Sequence, residues 1–321
     1  MIYKIITIGK NTFTETLRQP IYAVILITAL IMFLVSPSIA MYTLDEDVKL
    51  LREIGLSTLF LTGLFIAIFS AIGAITEEIE TKTITTVLSK PIARPVFIIG
   101  KFLGVAAAVT LAHYICTTAM LMTIRHGVLE TASDTHDWTV VTAATVTVVA
   151  TLLLTAFFNY TYDWNFIASA TGLLAMFCTL AMLFLSLIDR EWHFNPQNNS
   201  IQLFDINASI LLLLAALILV ALAIMFSTRL NVVLTLLCCI TVFMLGLISA
   251  YISGKYAEQH LWAKISKILI PDLQIFWVTD AVYEGSTVTL SYIGIISVYA
   301  ILYITGILTL AIALFQRRQV G

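Results

Sequence analysis

The chain has 321 residues, of which 60% are hydrophobic and only 11% are charged, and its formal net charge is −2. Soluble domains carry about 25% charged residues, so this composition excludes an ordinary soluble protein and predicts an all-α, polytopic membrane helical bundle. The net charge says nothing about nucleic acid, and no basic cluster suggests a nucleic-acid partner, so none is expected.

The first 20 residues predict a helix with one apolar face. Apolar or small residues recur every three or four positions, and charged residues fall on the other side. The apolar face comprises Ile2, Ile6, Gly9, Phe13 and Leu17, and the charged side comprises Lys4, Glu15 and Arg18. Such a helix is typical of the membrane interface, and we expect residues 1–20 to lie there on the cytoplasmic side. No long apolar core precedes a small-residue cleavage site, so no cleavable signal is predicted.

Eight apolar runs follow, each close to the roughly 20 residues that a bilayer core requires. They cover residues 21–40, 56–75, 97–123, 139–158, 167–188, 206–226, 230–253 and 288–315. The linker between the fourth and fifth runs and that between the sixth and seventh are very short, which predicts two tight helical hairpins. We therefore expect residues 1–321 to form a single transmembrane domain with about eight spans.

The distribution of Lys and Arg predicts the orientation of this bundle. With the N-terminus in the cytoplasm, the inner side holds ten of the 17 basic residues but only five of the 19 acidic ones. Loops rich in Lys and Arg stay in the cytoplasm. We therefore expect both termini to be cytoplasmic.

Residues 76–96 form a charged, helix-compatible segment on the same side as the N-terminus. Glu77 and Glu78 lie at the expected start of a short helix, where carboxylates favour the positive end of the dipole. Pro91 ends that helix, because the residue before a proline avoids α geometry. Gly100 and Gly104 then leave one face of the next span open to close packing. This segment either contacts a partner outside the bilayer or is a connector whose charges only set topology.

Residues 254–287 predict a second interfacial segment, on the outer side before the last span. Apolar residues including Leu261 and Trp262 alternate with Lys264 and Lys267, and Pro271 ends the pattern. Trp262 and Trp277 are expected in the aromatic belt.

The order of the residues in the charged segment resembles the first cytoplasmic loop of ABC transporter permeases of the type-2 (ABC-2) export class. The resemblance lies in the paired glutamates, the string Leu-Ser-Lys-Pro-Ile, the following arginine and Gly-Lys-Phe-Leu-Gly. The strings Pro-Asp-Leu-Gln-Ile-Phe and Phe-Gln-Arg-Arg near the end of the chain support it. The permeases that it resembles include those of copper-enzyme maturation and gliding-motility systems, and the usual core of the family has six spans.

In that family the loop is the coupling helix on which the ATPase subunit docks. The resemblance places the coupling role on Glu77, Glu78, Thr81, Thr83, Leu88, Pro91 and Arg94, and it places Gly100, Lys101 and Gly104 at the opening of the next span, with Gly100 and Gly104 packing helices. It implies a cytoplasmic ATP-binding cassette ATPase, a second permease chain as dimer partner, a lipid surround and a prokaryotic plasma membrane.

The sequence carries no chemistry of its own for hydrolysis. No Gly-x4-Gly-Lys-Ser/Thr phosphate loop occurs, so ATP would be hydrolysed by a separate subunit and the chain is not expected to be an enzyme. No catalytic, cofactor or metal site is predicted, and the four cysteines lie inside apolar runs. His113 is expected to hydrogen-bond between helices rather than relay protons.

The sequence therefore favours a permease subunit of an ABC exporter with an unknown substrate. The alternative is a non-transporting scaffold or accessory subunit that anchors an ATPase in an assembly or motility complex. A carrier coupled to protons or sodium is disfavoured, because ionisable residues within the predicted spans are nearly absent.

Overall fold

The computed structural model describes residues 1–41, 47–76, 93–129, 135–196, 202–256, 270–279 and 287–316. Most of these residues are helical, because a bilayer forces every backbone polar group to find a partner within its own segment. The described part of the chain contains no β-strand, only an isolated antiparallel bridge between Ile188 and Phe194.

Nine α-helices make up the described part of the bundle. They are α1 (Ile2–Arg18), α2 (Pro20–Ala40), α3 (Asp47–Ala71), α4 (Arg94–His126), α5 (Trp138–Tyr162), α6 (Phe166–Leu187), α7 (Leu203–Ser227), α8 (Val232–Tyr256) and α9 (Leu290–Gln316). A π-helical turn, Ile72–Thr76, extends α3, and a short 3-10 turn covers Gln274–Phe276. The helices α2 to α9 are long and apolar enough to cross a membrane, which confirms the eight predicted spans.

The alternation of the spans gives the bundle two ends. The N-terminal face holds α1 and the carboxyl ends of α3, α5, α7 and α9. The opposite face holds the carboxyl ends of α2, α4, α6 and α8.

Three helices form the centre of the bundle. The most apolar stretches of α3, α7 and α4 are 72%, 67% and 61% buried, against 22–28% for the other spans. Helix α7 is rich in fully buried alanines, and the Cβ of Ala216 lies only 3.1 Å from where a side chain on Gly63 of α3 would begin. Small residues let helices approach closely. Close packing stabilises the contact between helices in lipid, where the hydrophobic effect does not drive their association.

Both predicted helical hairpins are present, but their environments differ. Asp163 turns the chain between α5 and α6 in the left-handed conformation, with φ 54°, and Asn165 caps α6 through the backbone N–H of Ala168. This hairpin packs at the periphery through a small separate cluster that includes Met122 and Leu185. The α7–α8 hairpin instead supplies the central helix. The two hairpins therefore hold different positions in the bundle.

Polar contacts cross the buried centre near the opposite face. The Arg52 Nε of α3 lies 3.0 Å from the Asp205 Oδ1 of α7, and both side chains are largely buried. One turn deeper, His113 Nε2 lies 2.9 Å from the Ser209 carbonyl oxygen and 3.0 Å from its hydroxyl. The His113 contact is the predicted helix–helix hydrogen bond.

The Arg52–Asp205 pair adds two buried charged residues to spans in which the sequence predicts almost no ionisable residues. Residues 52 and 205 lie just outside the predicted apolar runs. Both helices continue beyond those runs, so the two side chains lie inside the bundle and face each other. A charge removed from water requires such a partner.

A buried ionic cluster closes α4, α5 and α6 at the opposite face. Asp137 caps α5, accepting hydrogen bonds from the backbone N–H groups of Thr139 and Val140. Its Oδ2 lies 3.4 Å from Arg125 Nε and 3.4 Å from Arg190 Nε. Arg125 also donates to the Leu185 carbonyl, to the Ile188 carbonyl at 2.7 Å and to the Thr139 hydroxyl at 3.1 Å. One guanidinium thus connects the ends of three spans.

The described part of the second interfacial segment enters the bundle. Leu273 and Phe276 are fully buried, and the Leu273 N–H donates to the Gly246 carbonyl of α8 at 3.1 Å. Trp277, expected in the aromatic belt, stacks on Phe60 of α3 with ring centroids 5.8 Å apart. Trp262 and the rest of its predicted helix lie outside the described residues. Residues 270–279 therefore pack into the bundle rather than along its surface.

Candidate functional site

The N-terminal face brings together the predicted interfacial helix and the start of α4. Helix α1 packs along α4 over Gly100 and Gly104, which lie four residues apart and so share one face. A Cβ on Gly104 would stand 2.6 Å from the Gly9 carbonyl oxygen and 2.6 Å from Thr12 Cβ. A Cβ on Gly100 would stand 2.7 Å from Ile8 Cγ2. The two backbones approach this closely only because these positions carry no side chain.

Lys101 lies between the two glycines and behaves differently from expectation. The sequence predicts that its ammonium extends to the lipid headgroups. The residue is instead 3% exposed, and its Nζ lies 3.8 Å from Glu15 Oε2 on α1 and 5.6 Å from the centre of the Phe97 ring. The reason is tertiary, because α1 folds over the start of α4 and covers the lysine.

The end of α3 is a buried π-helical turn. Ile72, Ala74, Ile75 and Thr76 are all buried. Gln19, which joins α1 to α2, lies against this turn, since a Cβ on Gly73 would meet its amide nitrogen at 2.2 Å. π-Helical turns are rare and often occur at functional positions. Thr76, the last described residue before residues 77–92, is therefore part of a packed and unusual turn.

Arg94 is the first residue of α4, and its guanidinium caps the last turn of α9. Its Nη1 donates to the Gln316 carbonyl and, at 3.3 Å, to the Phe315 carbonyl. Arg229, in the α7–α8 turn, donates to the Leu314 carbonyl at 2.6 Å. The last carbonyls of a helix have no partner within the helix and carry its negative dipole end. Two arginines from distant parts of the sequence satisfy them here.

An aromatic stack reinforces the Arg94 cap. The rings of Phe97 and Phe315 stack with centroids 5.6 Å apart, and the Arg94 guanidinium carbon lies 5.9 Å from the centre of the Phe315 ring. Phe315 is fully buried. The amino end of α4 and the carboxyl end of α9 thus form one packed unit.

Most of the predicted coupling residues lie outside the described part of the chain. Glu77, Glu78, Thr81, Thr83, Leu88 and Pro91 lie outside the described residues, whereas Arg94 begins α4 and Gly100 and Gly104 contact α1. The described residues therefore fix the two ends of the segment, Thr76 and Arg94, in a packed framework. The assignment of the coupling role remains a prediction.

Sequence reasoning missed the partners of several charges. Arg125 and Asp137 flank one loop at the ends of adjacent spans, which was a usable signal for an ion pair. No comparable signal exists for Arg229, because its carbonyl partner on α9 is 85 residues away. The described residues contain no group of three His, Cys, Asp or Glu side chains placed to hold a metal ion.

A comparison with known protein families matches residues 6–191 to the family described as ABC-2 family transporter protein. The match begins in α1, includes the framework at both ends of the charged segment and ends just after α6. A search of curated proteins finds no match. The specific resemblance to copper-maturation or gliding-motility permeases stays a prediction. Because the match covers more than half of the chain and the structure has eight apolar helices, this protein is a multi-pass membrane protein that belongs to the ABC-2 family of transporter proteins.

Proposed function

We propose that this chain is the membrane-spanning permease subunit of an ABC exporter that takes its energy from a separate ATPase. The observation that carries the proposal is the packing on either side of residues 77–92. Thr76 ends a buried π-helical turn, and Arg94 caps the end of α9. The family match supports a permease, and such permeases work with an ATP-binding cassette ATPase. The absence of a phosphate loop from the 321 residues supports hydrolysis in trans.

The proposed orientation places the N-terminal face in the cytoplasm, where an ATPase has access to ATP. The distribution of Lys and Arg supports this orientation. Two substituted positions can test it. Tyr160, near the α5–α6 turn, is 91% exposed, and the Glu191 side chain beyond α6 is 83% exposed. A membrane-impermeant maleimide added to intact cells should label Glu191→Cys and leave Tyr160→Cys unlabelled until the membrane is opened.

The proposed coupling is mechanical. An ATPase bound to residues 77–92 would push on the end of α3 and the start of α4 together. Arg94 and Phe97 would pass the displacement of α4 to α9, and α1 would move with α4 because their backbones are in contact. A bias between two conformations requires the ATPase to contact the loop differently in its ATP-bound and free states.

The test is capture of an ATPase by the tagged chain from its native membranes. The double variant Glu77→Lys, Glu78→Lys reverses the charge of the predicted docking surface. We expect it to lose the co-eluting ATP-hydrolysing subunit while the wild-type chain retains it. Glu191→Lys is the matched control, because it reverses an exposed charge at the opposite face. Equal capture by all three chains would refute docking at this loop.

Transport itself needs a second measurement. Accumulation of the exported substrate inside inverted vesicles should depend on ATP and be lost in the same double variant. Capture of an ATPase without any ATP-driven export would support the scaffold instead.

We also propose that two permease chains assemble side by side, in a prokaryotic plasma membrane, as is usual in this family.

A further inference from the structure

A cavity opens between α2, α4, α5 and α6 at the opposite face, far from the proposed ATPase surface. Its volume is about 570 Å³. Aliphatic and aromatic side chains such as Leu30, Phe33, Ile115 and Leu174 form most of its wall. Three spans and part of a fourth therefore line a largely apolar space. We call the end of the cavity that His126 and His136 line its mouth.

The depth of the cavity matches one leaflet of a bilayer. Its wall on α2 runs from Leu30 to Met41, and its wall on α4 runs from Ile115 to His126. At about 1.5 Å of rise per residue, each wall is about 16 Å deep. The hydrocarbon core of a bilayer is about 30 Å thick, so one leaflet contributes about 15 Å. An acyl chain that lies along these walls would therefore extend through one leaflet.

The mouth is polar and carries a pair of imidazoles. His136 Nδ1 lies 3.3 Å from His126 Nε2, and His126 Nδ1 lies 3.1 Å from the Gly127 carbonyl oxygen. A carbonyl only accepts, so His126 Nδ1 carries a proton and its Nε2 accepts from His136. His136 Nε2 is the ring nitrogen of the pair that takes no part in these two hydrogen bonds.

The surroundings of the mouth suit an anionic headgroup. Arg190 lies beside it, with its Nη2 3.7 Å from where a side chain on Gly127 would begin, and its side chain is 55% exposed. Arg190 and Arg125 share one carboxylate, that of Asp137. No acidic residue is among the described residues that line the cavity. Trp138, 58% exposed and 5.8 Å from the His136 ring centre, is typical of the headgroup level.

We propose that this cavity binds one acyl chain of a phosphate-bearing lipid, with the phosphate at His126, His136 and Arg190. In the orientation proposed above the lipid comes from the outer leaflet. The site is separate from the ATPase surface, and its occupancy requires no ATP, so binding can be tested without a transport assay.

The test uses the full chain in nanodiscs of phosphatidylcholine that contain a diazirine-labelled phosphatidic acid, with the crosslinked residues mapped by mass spectrometry. We expect labelling concentrated on the cavity walls. Ala144→Trp places a large side chain in the cavity and should abolish that labelling. Val146→Trp is the matched control, because Val146 lies on the same helix, is 57% exposed and does not line the cavity.

The headgroup contacts are tested with a second probe. The double variant His126→Ala, His136→Ala should lower labelling by the phosphatidic acid about tenfold, which corresponds to about 1.4 kcal/mol. It should leave labelling by a diazirine diacylglycerol, which lacks the phosphate, unchanged. An equal loss for both probes would show that the imidazoles only shape the cavity, and the phosphate assignment would fail.

Two results would overturn lipid binding itself. The first is labelling spread evenly over all lipid-facing helices and unaffected by Ala144→Trp. The second is displacement of the probe from the wild-type chain by inorganic phosphate alone, which would indicate a simple anion site. If Ala144→Trp does not fold, competition in the wild-type chain decides instead. Unlabelled lysophosphatidic acid should displace the probe, and failure to do so would refute the proposal.

Discussion

Asp137 offers the sharpest test of how the opposite face is held together. The substitution Asp137→Asn removes the charge that faces Arg125 and Arg190 but keeps an oxygen that can cap α5. Arg125 then becomes a buried guanidinium without a carboxylate. Breaking a buried ion pair by removing one partner costs about 3–5 kcal/mol. Asp137→Ala should cost about 1 kcal/mol more, because the helix cap is lost as well.

The assay is unfolding of the purified chain in mixed micelles by a denaturing detergent, followed by circular dichroism. Glu191→Gln is the control, because it removes a carboxylate that is highly exposed and whose partner, His193, is highly exposed too. Exposed pairs contribute little, so this variant should unfold like the wild-type chain. If Asp137→Asn also unfolds like the wild-type chain, the cluster does not stabilise the junction of α4, α5 and α6.

The same carboxylate predicts a pH dependence. Burial acts to raise the pKa of the Asp137 carboxyl. The hydrogen bonds from Thr139 and the Val140 N–H, together with the Arg125 charge, act to lower it and outweigh burial. The pKa of Asp137 therefore lies below its ordinary value. A lowered pKa stabilises the fold fully above the unfolded pKa of about 3.9 and loses this contribution as the pH falls through the folded pKa. Wild-type stability should therefore drop below about pH 4. Asp137→Asn should lack the part of this loss of stability that comes from Asp137. If the variant and the wild-type chain lose stability equally at acid pH, Asp137 is not the group responsible.

Two further predictions concern the N-terminal face. Gly104→Val should destabilise the chain by about 1–3 kcal/mol through overpacking, because its Cβ would meet the Gly9 carbonyl oxygen at 2.6 Å. Gly172→Val is the control, since nothing lies within 4 Å of that position, and equal losses would refute the α1–α4 contact. Arg229→Gln should speed amide exchange in the last turn of α9 about fivefold, as expected for about 1 kcal/mol of lost capping of the Leu314 carbonyl. Unchanged exchange there would show that the cap does not stabilise the helix end.

The sequence alone determined the elements of this fold. Each span is a run of apolar residues of bilayer length, and this signal is local, so all eight were predictable. The start of α6 after Asn165 follows from a local side-chain cap, and the start of α4 at Arg94 follows from Pro95. The family was also predictable from the sequence. Each residue around the charged segment is common, but the order of these residues is distinctive.

The tertiary structure decided where the charges lie and what they contact. Lys101 was expected at the headgroups and is buried against Glu15, because α1 covers it. Arg94 and Arg229 both donate to carbonyls at the end of α9, although more than a hundred residues separate them in the sequence. No local sequence pattern predicts these two contacts. Apolar runs fix the length and number of helices, but many arrangements bury them equally well. Small-residue contacts and the pairing of buried charges select one arrangement, and with it the cavity at the opposite face.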